Sequence, residues 1–180
     1  MIYSYKEALE LYGSRYKIKK AIEDGKLFKV EHGFYSDDED VNSLQIITAK
    51  YPNAVFTSKS AYYFYDLTDV IPRKNYLAIE KHQKIKVDSA VEITYMIKEL
   101  HELGVTTLKT HNAVINIYDR EKLLIELVRN KNSFGYDYYK EIIKNYRDIS
   151  NELDIQKIMD YLKFYKNKEN LQMIIQDEVF

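Results

Sequence analysis

The residues of this sequence best suited to chemistry are cations gathered in one short stretch. Between Ser14 and Val30 there are six basic side chains, Arg15, Lys17, Lys19, Lys20, Lys26 and Lys29, against two acids, Glu23 and Asp24. That local balance of +4 stands inside a chain whose net charge is −1, so the remainder carries −5. Placed 100° apart on a helix, Ile18, Ala21 and Ile22 point one way. Tyr16, Lys19, Lys20 and Glu23 point the other, with Arg15 and Lys17 on the flanks. Cations on the free face of a helix neutralise phosphates, while one or two residues near its N-terminus reach base edges in a major groove. Arg15 and Tyr16 are the candidates for base contact, with Lys17 beside them. Lys19, Lys20 and Lys29 are candidates for phosphate contact, and His32 for backbone or minor groove. A solvated lysine-rich face is the plainer alternative, and the flanking elements decide between the two.

Other constellations are sparse. His32, His82, His101 and His111 show neither i, i+4 spacing nor HExxH, and the sequence has no GxxxxGK[ST], GxGxxG or GxSxG. Phosphate-cradling loops and a nucleophile elbow are thereby disfavoured. Without cysteine there is no disulfide, thiolate nucleophile or thiolate-bound zinc, which fits a reducing compartment. Asp66, Asp69 and Glu80-Lys81 would suit a metal-dependent nuclease only if the three acids met, and adjacent strand residues point to opposite faces. Asp119-Arg120-Glu121 reads as a helix cap followed by exposed charges, or as an acid that orients a partner's arginine. No cofactor or metal is expected, and the chain reads as a non-enzyme.

The elements that must position the basic stretch are legible. Ser4 and Glu7 form a capping box, and Tyr5, Ala8, Leu9 and Tyr12 fall on one helical face that ends at Gly13. Ser14 caps the next helix, which stops at Gly25. Leu27–Val30 and Phe34-Tyr35 then form a hairpin about Glu31-His32-Gly33. A trihelical DNA-binding unit has a helix ahead of these two, and only three residues precede Ser4. Either Val41–Tyr51 packs into the vacant place or the fold is a reduced winged helix-turn-helix. The acidic run Asp37–Asp40 reads as a linker, with a domain boundary near residue 38 and a second domain over 39–180.

Beyond it, strand patterns at Ala54–Phe56, Tyr76–Glu80, Val91–Ile97, Val105–Lys109 and Val114–Tyr118 suggest a mostly antiparallel sheet. Helical patterns run over Lys59–Leu67, Arg120–Asn130, Tyr136–Tyr146, Asp154–Tyr165 and Glu169 onward. The class is α+β. Eighteen tyrosines call for half-buried or interaction positions, and no basic-apolar leader or long apolar span is present, so a cytoplasmic location is expected.

Three segments resemble AbiE-type abortive-infection antitoxins of type IV toxin–antitoxin systems. They are YSYKEALELYGSRYKIKKAIEDGKLFKVEHGFYS (3–36), AVFTSKSAYYFYDLTDVIP (54–72) and INIYDREKLLIELVRNK (115–131). The resemblance implies a winged helix-turn-helix that binds the double-stranded operator of its own operon. It also implies a second domain that counteracts a neighbouring nucleotidyltransferase-like toxin without forming a stable complex with it. By position, DNA contact falls on Arg15–Lys20 and Lys29–His32. The alternative is a protein-interaction module whose winged domain no longer binds DNA and whose tyrosine-rich surface docks a partner.

Overall fold

A computed structural model describes residues 1–83 and 85–180. The chain is α+β and divides into two compact units. The first comprises residues 1–53 with 109–114, and the second 54–108 with 115–180.

In the first unit, β1 (Ile2–Ser4) leads directly into α1 (Tyr5–Tyr12), and α2 (Arg15–Glu23) follows across Gly13-Ser14. The hairpin β2 (Phe28–Glu31) and β3 (Phe34–Ser36) comes next, then α3 (Ser43–Lys50). The strands form an antiparallel sheet in the order β1-β3-β2. β1 has no counterpart in the sequence reading, because three residues are too few to show alternation. Ala8, Ile18, Ala21 and Leu27 form the core, with Tyr3, Tyr12, Ile22 and Tyr35 packed against it. Two residues of the expected α1 inner face depart from it: Tyr5 is 41% and Leu9 37% exposed. A small core closed by a three-stranded sheet needs only one narrow stripe of α1, which Ala8 supplies.

The acidic run is no linker between the units. Asp37 accepts a hydrogen bond from Tyr3 Oη at 3.1 Å and pairs with the Met1 amino group. These contacts hold its carboxyl below the ordinary aspartate range, the amino group most of all. α3 packs on β1, and Lys50 reaches Glu31 at 3.0 Å. The unit therefore runs past residue 38 to Asn53. It also takes in the turn at His111-Asn112, whose carbonyls accept hydrogen bonds from the side chains of Asn42 and Gln45 at the start of α3.

The second unit contains β4 (Val55–Phe56), α4 (Ser58–Phe64), β5 (Asn75–Glu80), β6 (Val91–Met96) and α5 (Lys98–Glu102). Most of β7 (Val105–Thr110) and β8 (Ala113–Tyr118) belongs to it as well. It ends in α6 (Arg120–Arg129), α7 (Tyr136–Asp148), α8 (Ile155–Leu162) and α9 (Lys168–Glu178). The sheet order is β6-β5-β4-β8-β7. β5 runs parallel to β6 and β4 parallel to β8, while β4 and β5 are antiparallel, so the sheet is mixed and not mostly antiparallel. Alternation along a strand carries no direction. Here the chain leaves β5 at Glu80 and enters β6 at Val91, beside Asn75 at the far end of β5. Leu77, Ala78 and Ile79 are all buried, as both faces of a central strand must be. Among the described residues, no helix is long and apolar enough to cross a membrane.

Candidate nucleic-acid interface

Both helices of the first unit begin on the caps that the sequence offers. Ser4 and Glu7 satisfy each other's backbone N–H groups at 2.7 and 3.3 Å, and the Ser4 hydrogen bonds hold the Glu7 carboxyl below its ordinary range. Ser14 Oγ accepts from the Lys17 N–H at 3.2 Å, which fixes where α2 starts. Its end is equally determined: Lys26 N donates to Ala21 O and Gly25 N to Ile22 O, with Gly25 at φ +69°. This double closure needs a left-handed residue at position 25 and turns the chain straight into β2. The Gly33 carbonyl, in the β2–β3 turn, accepts the Tyr5 N–H at 2.7 Å and ties the hairpin to the start of α1.

Arg15, Tyr16, Lys17, Lys19 and Lys20 all lie on the solvent side of α2, opposite the buried Ile18 and Ala21. Tyr16 is 75% exposed, although burial would favour its ring, so its position presents an aromatic surface to the outside. Lys29 is the exposed residue of β2, and His32 is exposed in the turn beyond it. The seven residues thus form two groups, five on one helix and two on the hairpin. Among the described residues only Lys19 of these cations has a carboxylate nearby, Glu23 at 3.6 Å. The others keep their charge available. Sequence reasoning missed the role of Lys50, which is withdrawn from solvent onto Glu31.

The other charged cluster lies in the second unit and corrects the reading of Asp119-Arg120-Glu121. Asp119 does cap α6, accepting from the Lys122 N–H at 2.8 Å, but Glu121 is buried and not exposed. Its carboxylate accepts from the Asp154 N–H at 3.1 Å and lies 3.5 Å from Lys157 Nζ, because α8 packs on α6 and covers it. Arg120 is half-buried on Glu152 at 2.8 Å. One turn further, Lys122 is fully enclosed and Glu126 nearly so, 2.8 Å apart, and Tyr165 donates to Glu126 at 2.7 Å while accepting from Lys122. Burial pulls the Lys122 ammonium below the usual lysine range, an effect that Glu126 only partly offsets. Burial also works to raise the Glu126 carboxyl, but Lys122, Arg129 and Tyr165 together hold it low. An ammonium with these partners is fixed in place and serves structure. Among the described residues no three His, Asp or Glu side chains gather as a metal site, Asp66, Asp69 and Glu80 included.

No protein-family model and no curated protein matches the sequence. Among solved structures, the chain is similar to the crystal structure of RV2827C protein from Mycobacterium tuberculosis, with a TM-score of 0.67 over 99% of this chain and 72% of that one. The two proteins share a fold. Their sequences are 11% identical, so the likeness speaks to architecture alone.

Proposed function

We propose that the chain is a DNA-binding autoregulator and antitoxin of a type IV toxin–antitoxin system, whose first unit is a reduced winged helix-turn-helix. The observation that carries the DNA-binding half is α2. Its buried side is apolar, and its free side presents Arg15, Tyr16, Lys17, Lys19 and Lys20, of which, among the described residues, only Lys19 has an acidic neighbour. A hairpin bearing exposed Lys29 and His32 follows, as a wing would. The antitoxin half rests on the resemblance of the three segments quoted above. In this reading a nucleotidyltransferase-like toxin is opposed without a stable complex.

The test is fluorescence anisotropy on duplexes from the region upstream of the chain's own operon, with a scrambled duplex as reference. K19A/K20A weakens binding to both duplexes and lowers the salt slope by about 1 to 2, as expected for two lost phosphate contacts. Y16A narrows the gap between operator and scrambled duplex. Unchanged affinity and salt slope in K19A/K20A overturn the assignment of α2.

The exposed Tyr5, Leu9, Leu11 and Tyr16 favour a second reading, a protein-docking surface on the same unit. It gains if the purified chain ignores both duplexes at low salt and if L9A/L11A, but not K19A/K20A, abolishes its cellular effect.

A further inference from the structure

The second unit contains a cavity of about 930 Å³, bounded by β6, the C-terminal end of α6 and the start of α9. Its size lies in the range of small-molecule and cofactor sites and far exceeds what an inorganic anion fills. We infer that this cavity binds a nucleoside phosphate, either free or as a unit of a single strand, independently of α2.

The charge of the walls points to an anion. Arg129, Lys131, Lys166 and Lys81 line the cavity, and the acid among its lining residues is Glu126. Glu126 is already committed to Lys122 and Tyr165, at 2.8 and 2.7 Å. Among the described residues, none of Lys81, Lys131 and Lys166 has a carboxylate within ion-pair distance. Arg129 is held in place rather than neutralised. Only its Nη1 meets Glu126, at 3.1 and 3.4 Å, and its guanidinium lies 5.6 Å from the centre of the Tyr165 ring. Its Nε and Nη2 are left free among the described residues. A guanidinium fixed from behind with its outer donors open is the arrangement that takes a phosphate in two parallel hydrogen bonds.

The rest of the lining points to a base and sugar. Tyr95 of β6 and Phe164, beyond α8, line the cavity with 53% of each residue exposed, which leaves ring surface on which a base can stack. The amides of Asn132, Asn167 and Asn170 also face it and can both donate to and accept from base edges or hydroxyls. Cations beside half-exposed rings are the combination used by single-strand and nucleotide sites, where a phosphate and an aromatic face are bound together.

Calorimetric titration of the full chain with UTP, ATP, UMP and a hexauridylate tests this. Saturable binding of at least one of them is expected, weakened about tenfold by R129Q, the equivalent of one charge-assisted hydrogen-bonded pair. Because R129Q also touches Glu126, K131A/K166A provides a second reading on exposed side chains and should weaken binding to a similar degree. K144A removes one positive charge, as R129Q does, but on α7 away from the cavity, and should leave affinity within about twofold. Tighter binding of hexauridylate than of UMP identifies a strand as the source, and the reverse identifies a free nucleotide. The inference is overturned if none of the four binds, or if R129Q and K131A/K166A bind as the parent does. It is also overturned if inorganic triphosphate or hexaglutamate binds as tightly as the nucleotides. Failure of DNA binding through α2 would leave these results unaffected.

Discussion

Two lysine–glutamate pairs at i, i+4 spacing, one on α2 and one on α6, show how little a local motif says about its own role. Lys19 and Glu23 lie 3.6 Å apart and are mostly exposed, whereas Lys122 and Glu126 lie 2.8 Å apart and are enclosed. In water the first pair contributes a few tenths of a kcal/mol, about what any helix-surface pair does. The second has lost its hydration and depends on geometry: Tyr165 joins both partners and Arg129 adds a further cation. The difference arises outside the two helices. α2 packs on one side only, whereas α4, α8 and α9 all pack against α6, leaving Glu121 through Val128 buried around its whole circumference.

The strongest way to break this comparison is to remove one acid from each helix. E126A leaves the Lys122 charge buried without its carboxylate and should cost about 3–5 kcal/mol in urea denaturation. E23A should stay within about 0.5 kcal/mol. Equal effects would mean that the enclosed network contributes no more than the surface pair.

Alkaline titration sharpens the contrast next. Tyr62, Tyr118, Tyr146 and Tyr165 all belong to the second unit, and burial pushes each phenol above its ordinary value of 10.0. A raised value in the folded state means that stability is fully present below pH 10 and is lost as pH climbs toward the folded values. Tyrosinate absorbance from these four should therefore appear together with loss of the circular dichroism signal, above pH 10. Gradual ionisation with the signal intact would show that their enclosure is looser than described.

A further contrast, between the extremes of E126A and E23A, comes from two glycines with nearly the same backbone. Gly25 and Gly104 have φ of +69° and +71°, but a Cβ on Gly25 meets nothing within 4 Å, whereas one on Gly104 comes to 2.8 Å from Lys122 Cβ and 3.0 Å from an Asp119 oxygen. G25A should cost about 1–2 kcal/mol for the left-handed backbone alone. G104A should add roughly 1–3 kcal/mol for overpacking against the start of α6. Equal melting shifts would show that the Gly104 neighbourhood gives way freely.

The sequence made α2 legible and α6 only half so, for a physical reason. Ser4, Ser14 and Asp119 all act as the caps their sequence context predicts, because a cap depends on the next three residues and nothing more distant. The polar side of α2 could be read because its apolar stripe is narrow. Lys122 and Glu126 have the spacing of a surface pair, and only the packing of α8 and α9 against α6 reveals that they are interior. The parallel pairing of β5 with β6 and the strand Ile2–Ser4 were illegible for a related reason: each depends on a partner distant in sequence. The cavity beside Arg129 collects residues from positions 81 to 174, a set that no window along the chain could have assembled.

The turn at His111-Asn112 bears on how the protein is made. Asn42 and Gln45, near the start of α3, donate to its two carbonyls, so the first compact unit includes residues 109–114. During synthesis, the amino-terminal 53 residues leave the ribosome long before that segment does, and domains that can close early usually do so as they emerge. The two side-chain contacts to this turn must wait for residue 112, while the capping box of α3, shared by Asn42 and Gln45, closes locally in the meantime. A fragment ending at Asn53 would reproduce that waiting state rather than the finished unit.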